Sequence, residues 1–170
     1  MKQALITGSK SDEWYTPLET VKTMLEVFPP PKGARVLLPF DTEKSNFTKV
    51  ITQDYDPFAI YGITDFLTNQ YEFDYLISNP PYSNKDEIIA RCIETGKPCV
   101  LVLPIDTLGG VQRHKLFSKT NISVYVPTKR IKFISETGEH TKSPAHHSIF
   151  VMINSQKTDI RYEFQTGEIK

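Results

Sequence analysis

The chain has 170 residues, of which 39% are hydrophobic and 24% charged, and its twenty Lys/Arg balance twenty Asp/Glu. That describes one ordinary domain with enough apolar residues for a core, and it excludes disordered, fibrous and uniformly basic nucleic-acid-binding classes. No apolar run approaches the roughly 20 residues of a membrane span, and the polar start MKQALITGSK does not read as a secretory signal.

Residues 1–13 read as a flexible lead-in, 14–154 as one domain, and 155–170 as a tail or edge strand. After Trp14-Tyr15-Thr16-Pro17, the apolar residues Val21, Met24, Leu25 and Phe28 fall on one helical face. Thr16 is the expected N-cap, with Pro17 at the first helical position and Glu19 completing the start signal. Pro29-Pro30-Pro31-Lys32-Gly33 stops the helix. Residues 34–38 predict a strand running into Pro39-Phe40-Asp41. Residues 45–52 predict a helix, and 57–63 a second strand with Asp65-Phe66 just beyond. Residues 73–78 predict a third strand. A capped helix then starts at 83–87, runs to Glu94 and stops near Gly96-Lys97-Pro98, and residues 99–103 form a continuous apolar strand. This alternation predicts a doubly wound, mostly parallel α/β sheet. Strands at 122–126, 130–134 and 148–153 then predict a C-terminal antiparallel hairpin.

Charge is unevenly distributed. Residues 1–110 hold ten Lys/Arg against fifteen Asp/Glu, whereas 111–150 hold seven against two together with all four histidines. Arg113, Lys115, Lys129, Arg130, Lys132 and Lys142 are therefore candidate contacts to a phosphate backbone, although an ordinary solvated hairpin would look the same. Cys92 and Cys99 are the only cysteines, so reduced thiols and a cytoplasmic location are expected, with no zinc site. His146 and His147 are neighbours, which on a strand point to opposite faces, so no metal is expected there either.

The densest chemistry lies at Asn79-Pro80-Pro81-Tyr82, directly after an apolar strand. An Asn side-chain oxygen and a ring-stiffened Pro80 carbonyl are two acceptors that can grip an NH2 group by both hydrogens, leaving its lone pair free to attack. Tyr82 offers a ring for stacking a flat heterocycle. A plain turn is the competing reading.

The run Phe73-Asp74-Tyr75-Leu76-Ile77-Ser78-Asn79-Pro80-Pro81-Tyr82 resembles the catalytic motif of S-adenosylmethionine-dependent amino-methyltransferases. Across residues 12–153 the chain resembles small phage-type DNA adenine-N6 methyltransferases. The resemblance implies a class I methyltransferase-like, Rossmann-like fold, S-adenosylmethionine as cofactor and DNA as partner. It implies that Asn79 and Pro80 hold the target amine of a flipped base, that Pro81 stiffens the turn, and that Tyr82 stacks on the base. Trp14, Tyr15, Thr16 and Pro17 resemble the segment touching the cofactor's methionine part. Pro39, Phe40 and Asp41 correspond to the first cofactor loop, and Asp65 and Phe66 to the pair beside its adenine. Residues 129–133 and 143–149 resemble the family's closing hairpin. The first loop departs from the family pattern in having no glycine from Pro39 to Phe47. Two other readings therefore stay open: a non-catalytic relative that binds nucleic acid or protein, and an enzyme of the same fold acting on RNA or a protein amide.

Overall fold

The computed structural model describes residues 14–140 and 146–163. In chain order the elements are β1 (Trp14–Tyr15), α1 (Leu18–Val27), β2 (Val36–Leu38), α2 (Asn46–Asp54), β3 (Ile60–Tyr61), β4 (Tyr75–Ser78), α3 (Lys85–Thr95), β5 (Cys99–Pro104), α4 (Val111–Phe117), β6 (Ile122–Val126), β7 (Ile134–Ser135), β8 (Ser148–Ile153) and β9 (Asp159–Tyr162). The main sheet has the order β3-β2-β4-β5-β8-β6-β9. The pairs β3–β2, β2–β4 and β4–β5 are parallel, β8 runs antiparallel to both β5 and β6, and β9 pairs parallel with β6. This is the doubly wound, mostly parallel sheet with an antiparallel insertion near its C-terminal end.

Alternation along the strands divides the core into two faces, because successive side chains point to opposite sides. Val36, Leu38, Tyr75, Ile77, Val100 and Val102 pack under α1 and α2, against Val21, Met24, Leu25, Phe47 and Ile51. Leu37, Leu76, Leu101 and Leu103 face the other way, against Ile88, Ile89 and Cys92 of α3. Each fully buried aliphatic side chain contributes about 1.5–3 kcal/mol, so α1 is held chiefly by its apolar face. Cys92 and Cys99 are free and buried, and their mutual hydrogen bond and burial push the Cys92 thiol pKa well up.

Several elements differ from expectation. Pro17, not Thr16, occupies the cap position of α1, and no side chain caps that helix. The strand expected at 57–63 shrinks to two residues because Asp56 folds the segment before it into a turn, accepting from Phe58 N through its side chain and from Ala59 N through its carbonyl. The strand expected at 73–78 begins only at Tyr75, since Asp74 is drawn aside to the backbone and side chain of Arg35. The strand expected at 130–134 does not form. Ile131 drops into the core beneath α1 and α2 while Arg130 and Lys132 stay exposed, and only Ile134–Ser135 pairs, antiparallel with Trp14–Tyr15. The hairpin is instead made by β6 and β8, and the tail supplies edge strand β9.

Candidate active site

The chain runs outward from β2 to β3, then returns to place β4 on the other side of β2. In open α/β sheets the ligand-binding crevice lies where strand order reverses in this way, beyond the carboxyl ends of the two central strands. Residues 39–45 leave β2 there, and residues 79–82 leave β4. These are the first-loop segment and the motif singled out from the sequence.

The two segments are joined by a buried carboxyl. Asp41 accepts from the Ser45 hydroxyl at 2.6 Å through Oδ1 and from the Ser78 hydroxyl at 2.6 Å through Oδ2. Asp41 is 8% exposed, Ser45 4% and Ser78 0%. Burial raises the Asp41 pKa to about 6, with the two hydroxyls pulling it back. Ser45 also caps α2 by accepting from Phe47 N at 3.1 Å, as a serine at an N-cap does. Gly62 N, beyond β3, donates to the Asp41 carbonyl at 2.8 Å.

At the end of β4, Asn79 Oδ1 is a buried acceptor without a hydrogen-bond partner among the described residues. Pro80 is buried, and Tyr82 opens a short 3₁₀ turn, Tyr82–Asn84, that leads into α3. The Tyr82 hydroxyl is turned inward and makes no hydrogen bond of proper geometry. Burial pushes its pKa up to about 12, and the nearby Ser148 hydroxyl at the start of β8 lowers it slightly.

The segment around Trp14 is brought to the same edge. The Thr16 carbonyl accepts from Asn46 Nδ2 at 2.9 Å at the start of α2, and Lys44 of the first loop lies 3.9 Å from Glu136, just after β7. Trp14 is 44% exposed, Tyr15 and Pro17 are half-buried, and the buried Thr16 hydroxyl has no partner among the described residues. Pro39 is buried after β2, and the half-buried Phe40 packs edge-to-face on buried Phe66, with ring centroids 5.6 Å apart. Asp65 is otherwise engaged: its carboxyl accepts from Asn69 Nδ2 and the Tyr71 hydroxyl within its own turn.

The basic segment is only partly available. Arg113 lies 2.8 Å from Asp86 in the first turn of α3, which ties α4 to the corner. Lys115, Lys129, Arg130 and Lys132 are exposed, and the last three follow β6 at the same edge as the crevice. Lys142 lies outside the described residues. Among the described residues no group of three His, Cys, Asp or Glu is placed to hold a metal ion, and no helix is long and apolar enough to cross a membrane.

Ser78 and Ser148 were not legible as site residues. The signal for Ser78 was present: a lone hydroxyl closing the buried strand Tyr75-Leu76-Ile77-Ser78 needs a polar partner. Ser148 likewise sits next to a buried apolar run, but nothing in its neighbourhood points to Tyr82.

No protein-family profile and no curated protein matches the chain. Its backbone is similar to the crystal structure of a Pyrococcus horikoshii protein provisionally named an RNA methyltransferase, with a TM-score of 0.48 and 11% identity over 90% of this chain and 97% of that one.

Proposed function

We propose that this chain is an S-adenosylmethionine-dependent methyltransferase acting on the exocyclic N6 amine of adenine in DNA. The observation that carries this reading is Asn79 Oδ1: a buried acceptor without a partner among the described residues, at the carboxyl end of β4, followed by two prolines. Leaving such an atom unpaired costs about 1–3 kcal/mol, a loss that a ligand NH2 would recover.

In this reading the Asn79 Oδ1 and Pro80 carbonyl each accept one N–H of the amine, which draws the nitrogen towards pyramidal geometry with its lone pair outward. Trp14, Tyr15, Thr16, Pro17, Phe40 and Phe66 are the residues that would hold the methyl donor, with the edge-to-face pair Phe40–Phe66 taking its adenine. S-adenosylmethionine, when bound, would supply an electrophilic methyl carbon on a sulfonium, whose sulfur would keep the bonding pair while the amine gives a proton to water. No covalent bond to the protein forms, so the contribution of these residues is alignment and exclusion of water. Lys129 and Lys132 are the exposed cations that would meet backbone phosphates.

Incubation with labelled donor and either DNA or RNA, followed by nuclease digestion and mass spectrometry, tests the proposal. It predicts N6-methyladenine from DNA. Methylated product from RNA alone would transfer the assignment to an RNA enzyme of the same fold.

A second reading is favoured by one specific observation. Residues 39–45 contain no glycine, and Asp41 spends both carboxylate oxygens on Ser45 and Ser78. A non-catalytic nucleic-acid- or protein-binding relative would show no calorimetric binding of S-adenosylmethionine while still binding DNA or a protein.

A further inference from the structure

Among the described residues, Asp41 is the only acidic or basic side chain that is buried. A carboxyl is a poor choice for fastening a loop, because burial disfavours its charged form. Its surroundings show what it fastens. One oxygen takes the Ser45 hydroxyl, which is itself committed to the start of α2, and the other takes the Ser78 hydroxyl, the last side chain of β4. Ser78 directly precedes Asn79, and Pro80 directly follows it. The Pro80 ring confines the Asn79 backbone to extended conformations. With Ser78 tethered on one side and Pro80 locked on the other, Asn79 retains little freedom beyond its own two side-chain torsions.

We infer that Asp41 is a positioning residue, which through Ser78 fixes the backbone that carries the Asn79 amide and couples it to the loop after β2. This rests on the role proposed above for Asn79 and deepens it. It stands as the alternative to the expectation that Asp41 contacts the donor directly. The groups facing the Asp41 carboxyl are simple. Burial raises its pKa, Ser45 and Ser78 lower it, and no charged side chain among the described residues contributes. Glu43 and Lys44 of the same loop are exposed, and Lys44 leans towards Glu136. The coupling therefore strengthens as Asp41 ionises, when both of its oxygens become pure acceptors for the serine hydroxyls.

The test has two arms. In the first, the Asn79 side-chain amide is followed by nitrogen-15 NMR across about pH 4–8, a span bracketing the Asp41 titration. The signal is assigned by its loss in Asn79→Ala. Native protein should show it moving with a midpoint near the Asp41 value, and the movement should vanish in Asp41→Asn and in Ser78→Ala. A static native signal, or an equal shift in Ser78→Ala, overturns the inference. This arm needs no methyl transfer, so it stands even if the proposed reaction fails. In the second arm, Ser78→Ala should lower kcat about tenfold with donor affinity changed less than about twofold, and Ser78→Thr, which keeps the hydroxyl, should restore it. Thermal melting of each variant confirms the fold. A tenfold loss of donor affinity in Asp41→Asn, with Ser78→Ala unaffected, would instead make Asp41 a donor ligand.

Discussion

The two lips of the crevice spend their polar atoms in opposite ways. On the β2 side the buried carboxyl is used internally: Asp41 takes two hydroxyls, and its own carbonyl takes Gly62 N. On the β4 side Asn79 Oδ1 and the Tyr82 hydroxyl, three residues on, are both buried without a hydrogen-bond partner among the described residues. On the reading proposed above, the closed lip would supply the rigidity that keeps the open one in place.

Removing the unspent acceptor tests this contrast most severely. Asn79→Ala should lower methyl transfer by about 10²–10³, the loss typical for one preorganised polar contact, while donor affinity measured by calorimetry changes less than about threefold. The variant should melt no lower than the native chain, since no internal hydrogen bond is lost.

The closed lip should respond in the reverse sense. The folded-state pKa of Asp41 is raised from 3.8 to about 6. Its protonated form is therefore the one favoured by the fold: the stability it contributes is full below the unfolded value and is lost as pH rises through about 6. Asp41→Asn removes that penalty and should stabilise the protein by at most about 3 kcal/mol at neutral pH, the gain shrinking towards pH 4. Urea unfolding at several pH values reads this directly. Greater stability with slower transfer would mark a residue kept for function against stability.

Smaller effects refine the picture. Pro80→Ala loosens the corner and should cost about 0.4–1 kcal/mol of stability, read by thermal melting, with turnover reduced more than donor affinity. Lys129→Ala and Lys132→Ala should each reduce the slope of log affinity against log salt for DNA by about 1, without changing any base preference. An unaltered slope would remove the segment after β6 from the nucleic-acid face.

Much of this arrangement was legible because short-range rules dominate it. The α1 stripe of Val21, Met24 and Leu25, the cap at Ser45, the αL glycine Gly96 after α3 and the all-apolar β5 are local signals that tertiary structure did not override. The Asn79 corner was legible for the same reason: prolines after a buried strand leave few alternatives. Pairings across the chain were not. That Trp14–Tyr15 would find Ile134–Ser135, or that Ser78 would meet Asp41 across 37 residues of sequence, depends on how β2 and β4 come to lie side by side. The expected strand at 130–134 did not form: Ile131 is buried between exposed Arg130 and Lys132, as alternation predicts, but only Ile134–Ser135 finds a partner strand. Asp65 and Arg113 looked available in sequence but are engaged by Asn69, Tyr71 and Asp86 in the fold.

The central claim is that the Asn79 oxygen receives a hydrogen of the target amine. A crystal structure of the chain with a non-reactive analogue of the methyl donor and an adenine-containing oligonucleotide tests it most directly. The account predicts the adenine N6 within about 3 Å of both Asn79 Oδ1 and the Pro80 carbonyl, a normal hydrogen-bond length. An adenine bound with its amine elsewhere, or a corner that closes on itself in the complex, would contradict it.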